Sequence, residues 1–117
     1  MKQNRVEAVL KNMESLNLSQ ILITDPLAIF YLTGRMIKPF ERFYALYLNQ
    51  NGNHKIFINQ LETVPEDLGV EKVRFTDSDS YMDLVIKTTD HTEPLGIDKN
   101  MPARFLLPLI DQKAASG

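Results

Sequence analysis

The stretch "ILITDPLAIFYLTGR", from Ile21 to Arg35, sets two apolar runs around Asp25-Pro26 and closes on Gly34-Arg35. Ile21-Leu22-Ile23 is a short continuous apolar run, the pattern of a strand covered on both faces. Asp25 offers an oxygen that can accept a hydrogen bond at a helix N-cap. Pro26 suits the first helical position because it has no amide hydrogen to leave orphaned. Leu27 to Leu32 then makes one or two turns of helix, and Gly34 is a natural stop. These fifteen residues therefore predict a strand-to-helix turn, and the rest of the chain is read from it.

Upstream, Val6, Val9, Leu10, Met13 and Leu16 fall on one stripe of a helix, with Lys2, Arg5, Glu7, Lys11 and Glu14 on the other faces. Asn17 and Ser19 break it. Downstream, Phe43–Leu48 and Lys55–Asn59 carry the aromatic and β-branched residues that strands favour, and Asn51-Gly52 between them signals a hairpin. "QLETVPEDLGV" reads as a brief helical turn closed by Gly69, and "VEKVRFT" as another strand. Asp77, Ser78, Asp79 and Ser80 are candidate caps for a helix through Tyr81, Leu84 and Val85. "PLGID" is a short strand. "PARFLLPLIDQK" is a helix opened by Pro102, with Pro108 positioned to kink it. This alternation predicts an α/β fold, a three-layer domain with a mixed β-sheet of about five strands flanked by helices.

The 117 residues and 13.4 kDa fit one domain, large enough to bury a core without staples. Thirteen basic against fifteen acidic side chains give a net charge of -2, which provides no basic footprint for nucleic acid and no cationic face for a membrane. The chain has no cysteine, so disulfides, thiolate metal sites and thiol nucleophiles are excluded, and a reducing compartment fits. "MKQNRVEAVLKNMESLN" lacks the apolar core of a signal peptide, and no run approaches the ~18 apolar residues of a membrane span. A cytoplasmic domain is expected.

Catalytic signals are sparse. His54 and His91 lie in polar loops without a neighbour at metal-ligand spacing, and are read as solvated. "YLTGR" is not a nucleophile elbow, and the five glycines form no phosphate loop. "RFTDSDSYMD" is similar to the strand-then-DxD layout of aspartate-nucleophile phosphohydrolases, which makes Asp77 and Asp79 a rival acidic site. Too few residues follow to supply the remaining ligands, and capping is the plainer role. "RMIKPFER", Arg35 to Arg42, joins three cations, one carboxylate, Pro39 and Phe40 in one loop. Such loops are often recognition surfaces. A solvated loop with Arg42 paired locally stands as the equal alternative.

The "RVEAVLKNME" helix, then "ILITDPLAIFYLTG", then a Glu-Arg pair opening a strand resembles the N-terminal domain of creatinase/prolidase-family metallopeptidases, with its ribonuclease H-like motif. The likeness runs from Arg5 to Gln112, and the "KPFER" run points to the Xaa-Pro dipeptidase (prolidase) branch. The resemblance implies that residues 1–117 are a non-catalytic N-terminal domain, inactive alone, with the C-terminal pita-bread catalytic domain absent. It implies hydrolysis of the bond before proline in a dipeptide by two divalent metal ions, often manganese, held by that other domain. No catalytic or metal-ligating residue is expected here. It further implies a homodimer in which Arg35, Lys38, Pro39, Phe40, Glu41 and Arg42 help close the partner subunit's pocket. Pro39, Glu41 and Arg42 match the family's Asp-Pro-His-Glu-Arg loop, whereas Lys38 and Phe40 depart from it. A Xaa-Pro aminopeptidase, or a stand-alone binding or regulatory module, would carry the same domain.

Overall fold

The apolar residues of this chain divide between two cores, one on each side of a single sheet. The computed structural model describes residues 1–37, 42–61, 68–99 and 101–116, without the side chains of 111–116. In chain order the elements are α1 (Gln3–Ser15), β1 (Gln20–Ile23), α2 (Pro26–Thr33), β2 (Ala45–Asn49), β3 (Lys55–Asn59), β4 (Glu71–Phe75), α3 (Tyr81–Thr88), β5 (Leu95–Ile97) and α4 (Ala103–Ser116). The five strands are ordered β4-β3-β2-β1-β5. β2 is antiparallel to β1 and β3, while β3–β4 and β1–β5 pair in parallel. This is the mixed α/β sheet that the alternation of runs predicts.

Because side chains alternate along a strand, the three central strands β1, β2 and β3 feed both cores, while the edge strands β4 and β5 feed one. Leu22, Ala45, Tyr47 and Phe57 join Val85 of α3 and Phe105 of α4 on one side. Ile23, Leu46, Leu48, Ile56 and Ile58 join Val6 of α1 and Ile29 and Leu32 of α2 on the other. Helix, sheet and helix thus form three layers.

The strand-to-helix turn forms as its residues dictate. Asp25 Oδ1 accepts from the Leu27 amide at 3.1 Å, Pro26 opens α2, and Gly34 ends it at φ 82° with its amide on the Phe30 carbonyl at 2.8 Å. Pro102 immediately precedes α4, which continues through Pro108.

Three local readings need correction, while the hairpin forms where it is expected. Leu16 leaves the α1 stripe and is 68% exposed, because Asn17 takes a left-handed φ of 59° and turns the chain. β2 begins at Ala45, not Phe43; Phe43 and Tyr44 continue the alternation into opposite cores but lie beyond the last pair, Ala45 with Phe57. The hairpin forms through residues 50–54, with Gly52 left-handed at φ 88°, the Gly52 amide on the Asn49 carbonyl, and the Asn51 side chain accepting from the Asn53 amide. No side chain caps α3 at Ser80; the acidic residues before it are engaged elsewhere. The helical turn expected over 60–69 falls largely on 62–67, outside the described residues. Among the described residues no helix is long and apolar enough to cross a membrane.

Candidate functional site

Strand directions decide where the polar residues gather. β1, β3, β4 and β5 point the same way, and β2 runs against them. One end of the sheet therefore collects Asn59, the last residue of β3, with Thr24-Asp25, Gln60, Thr76–Ser80 and Asp98 just after their strands and Arg42–Tyr44 before β2. In open α/β sheets the crevice outside the carboxyl ends of the strands is the usual ligand site.

Asp98 organises one half of this end. Its Oδ1 accepts from the Thr24 amide (3.1 Å) and the Thr24 hydroxyl (3.0 Å), and its Oδ2 from the Asp25 amide (2.8 Å). Both backbone donors belong to the turn where β1 ends and α2 has not begun, so neither ladder nor helix could satisfy them. The carboxylate fixes that turn, and Asp25 in turn caps α2. Sequence reading missed Asp98: its partners lie 73 and 74 residues away, and only the β5–β1 pairing brings them together.

Arg42 and Asp77 organise the other half. Arg42 Nε lies 3.4 Å from Asp77 Oδ1, which also accepts from the Asn59 side-chain amide at 2.7 Å. Arg42 thus pairs with the loop after β4. Asp79 Oδ2 accepts from the Thr76 amide at 2.7 Å, so the Asp77 and Asp79 carboxylates bind different partners. Between these residues and the starts of α3 and α4 lies a cleft of about 260 Å³, floored by Phe43, Phe75, Tyr81 and Phe105 and flanked by Arg104. Phe43 and Tyr81 stack at 4.6 Å, and Phe105 meets Phe43 edge-on at 5.1 Å.

Of the loop singled out in the sequence, Arg35 is exposed just past the end of α2, with its amide on the Thr33 hydroxyl at 3.3 Å. Arg42 stands at the entrance to β2. Lys38, Pro39, Phe40 and Glu41 lie outside the described residues.

The opposite end of the sheet carries a structural polar node. Gln20, fully buried, donates to the Asp90 and Glu93 carbonyls (2.8 and 3.1 Å) and accepts from the Tyr47 hydroxyl and the Asp90 amide (2.6 and 2.9 Å). Burial pushes the Tyr47 hydroxyl above its ordinary pKa, the Asn49 amide opposes this, and Asp90 adds to it. His54 is half-buried rather than fully solvated, and its Nδ1 accepts from the Asn49 amide at 3.2 Å. Burial lowers its pKa, since the charged ring is the form that suffers from desolvation. His91 is exposed, and its Nε2 lies 2.9 Å from the Ile86 carbonyl.

Among the described residues no group of three or more His, Cys, Asp or Glu could hold a metal ion. The carboxyl end of the sheet instead presents cations, carboxylates and an aromatic floor, which are groups for recognition.

Comparison with known proteins gives this arrangement its context. An uncharacterized peptidase of Staphylococcus haemolyticus is 27% identical over 110 residues, 94% of this chain and 28% of its own. One of Staphylococcus saprophyticus is 37% identical over 70 residues, 60% of this chain and 18% of its own. This chain thus spans well under a third of either peptidase. Dipeptidase PepE from Mycobacterium ulcerans superimposes with a TM-score of 0.81 at 28% identity, over 97% of this chain and 32% of that one. The N-terminal domain of Xaa-Pro dipeptidase from Lactobacillus brevis shares the fold at a TM-score of 0.78 and 20% identity, over 92% and 87% of the two chains. Residues 5–114, from α1 into α4, match the creatinase/prolidase N-terminal domain as a unit, and this chain belongs to that family.

Proposed function

We propose that this chain is the N-terminal, non-catalytic domain of a cytoplasmic Xaa-Pro dipeptidase, with its pita-bread catalytic domain lying C-terminal to residues 1–117. The observation that carries this reading is the family match over residues 5–114, together with the 97% coverage of this chain by a dipeptidase of about three times its length. Two divalent metal ions, with manganese the proposed metal, would supply Lewis acidity at the bond before proline and would be held by residues outside this chain. The present domain contributes shape and contacts. Its exposed α2 residues Leu27, Phe30 and Tyr31 (64, 44 and 56% exposed) offer an apolar face suited to homodimerisation.

In that dimer the segment from Arg35 to Arg42 closes the partner subunit's pocket over a proline-containing dipeptide. Arg42 supports the role by its place at the carboxyl end of the sheet, anchored beside Asp77. An immunoblot for the native polypeptide tests the domain assignment first: a band far above 13.4 kDa is expected. A band at that mass favours a stand-alone binding module instead. Hydrolysis of Ala-Pro in preference to a longer Ala-Pro peptide separates dipeptidase from aminopeptidase. Alanine at Glu41 and Arg42 in the full-length enzyme should raise KM or lower kcat without unfolding it, and unchanged kinetics would remove the loop's role.

A further inference from the structure

The aromatic cleft at the carboxyl end of β4 carries more recognition chemistry than a core boundary needs. Phe43, Phe75 and Phe105 are almost wholly buried, at 2, 3 and 6% exposure, and they belong to the core. Tyr81 is only partly buried, stacked flat on Phe43 at an interplanar angle of 12°. Its hydroxyl receives no hydrogen bond from the described residues. Arg104, exposed, leans over the Phe105 ring at 4.6 Å and makes no ion pair among the described residues. A guanidinium held against an aromatic face, with its donors open, is arranged to take an anion.

Two helices begin at this cleft. Tyr81 is the first residue of α3, whose N-cap side chain makes no capping bond, and Arg104 and Phe105 lie in the first turn of α4. Apart from the Phe105 amide, which donates to the Pro102 carbonyl at 3.0 Å, the first amides of these helices lie at the positive ends of their dipoles without an intrahelical acceptor. The carboxylates at the rim are already used: Asp77 by Arg42 and Asn59, Asp79 by the Thr76 amide. The lining's two guanidiniums and two carboxylates balance in charge, but Arg104 is left as the charged side chain whose donors no carboxylate among the described residues takes. About 260 Å³ is the small end of the ligand-pocket range, room for a single ring with a short acidic arm.

We propose that this cleft binds an organic carboxylate with an apolar, preferably aromatic, body, the ring stacking on Tyr81 and the carboxylate meeting Arg104 and the helix starts. The same chemistry could come from a free small acid or from the C-terminal residue of a peptide. The site belongs to this domain and stands independently of the dipeptidase reading, since no catalysis enters its test.

The test is an amide and arginine side-chain NMR titration of this 117-residue chain with 3-phenylpropionate, acetyl-Gly-Phe and phenethylamine. The expected result is shifts at Tyr81, Arg104 and Phe105 with 3-phenylpropionate, a Kd on the order of 1 mM, and weaker binding of phenethylamine. Tighter binding of acetyl-Gly-Phe would identify a peptide C-terminus as the source, and weaker binding a free acid. Arg104→Ala should weaken carboxylate binding by roughly tenfold or more while leaving shifts elsewhere unchanged. The proposal is overturned by silence at 10-fold the expected Kd, by binding that survives Arg104→Ala, or by preference for phenethylamine.

Discussion

Replacing Asp98 with alanine should loosen the turn on which the fold is organised. The carboxylate accepts three hydrogen bonds, two from the backbone amides of Thr24 and Asp25 and one from the Thr24 hydroxyl. A net intramolecular hydrogen bond contributes about 1 kcal/mol, and bonds to charged groups contribute more. Asp98 is half-buried, so water reaches part of the vacated site and the lower figure applies. The expected loss is about 3 kcal/mol, against a total of roughly 6–18 kcal/mol for a domain of this length. For such a domain that lowers Tm by roughly 10 °C. Asp98→Asn separates the contributions. One amide oxygen can still serve Thr24, but the NH2 then faces the Asp25 amide donor to donor, so about half of the loss should appear. Urea unfolding followed by circular dichroism measures both variants, with the m-value checking that the transition remains two-state. An alanine variant within about 0.5 kcal/mol of the parent would refute the assignment of Asp98 as the anchor of the β1–α2 turn, since that is the scale of an ordinary surface change.

Gln20→Leu should cost about 3 kcal/mol by calorimetry, because it strands the Tyr47 hydroxyl and the Asp90 and Glu93 backbone groups; a neutral result would show that water replaces the amide. Gly34→Ala should cost about 1–2 kcal/mol from the left-handed φ of 82°. The nearest atom to the added methyl is the flexible Lys2 Cε at 2.8 Å, so the Lys2→Ala background should leave that loss in place. His54 has a folded pKa below its ordinary 6.5, so the unfolded chain takes up the proton first as pH falls. Its contribution is complete above about pH 6.5 and declines from there through the lower folded value; unfolding free energies between pH 7.5 and 5.5 should show this decline in the parent and a smaller one in His54→Ala. Arg42→Ala should change stability by less than about 0.5 kcal/mol, as expected for a half-exposed pair at 3.4 Å; a larger loss would make Arg42 a structural residue first.

The candidate site was only partly legible. Arg42 stood out in the sequence as a cation in a polar loop, but its pairing with Asp77 depends on β3 lying between β2 and β4. Asp77 and Asp79 were visible as an acidic cluster. Their separate engagements, and the absence of a side-chain cap on α3, arise from the loop's own folding against Asn59 and Thr76. The aromatic floor drew Phe43, Phe75, Tyr81 and Phe105 from four separate stretches, each of which reads alone as an ordinary core residue.

By itself the sequence determined what short-range chemistry can determine. Asp25-Pro26 and Gly34 bound α2 because a side-chain oxygen, a missing amide hydrogen and a missing Cβ act within a few residues of themselves. The apolar spacing likewise placed α1 and β1, up to the point where Asn17 turned Leu16 outward. Tertiary structure alone decided that β5 pairs beside β1, and therefore that Asp98 holds the turn and Gln20 reaches Asp90. Strand order is set by how two cores close at once across the whole sheet, and no local pattern records which distant carboxylate will satisfy a turn's open amides.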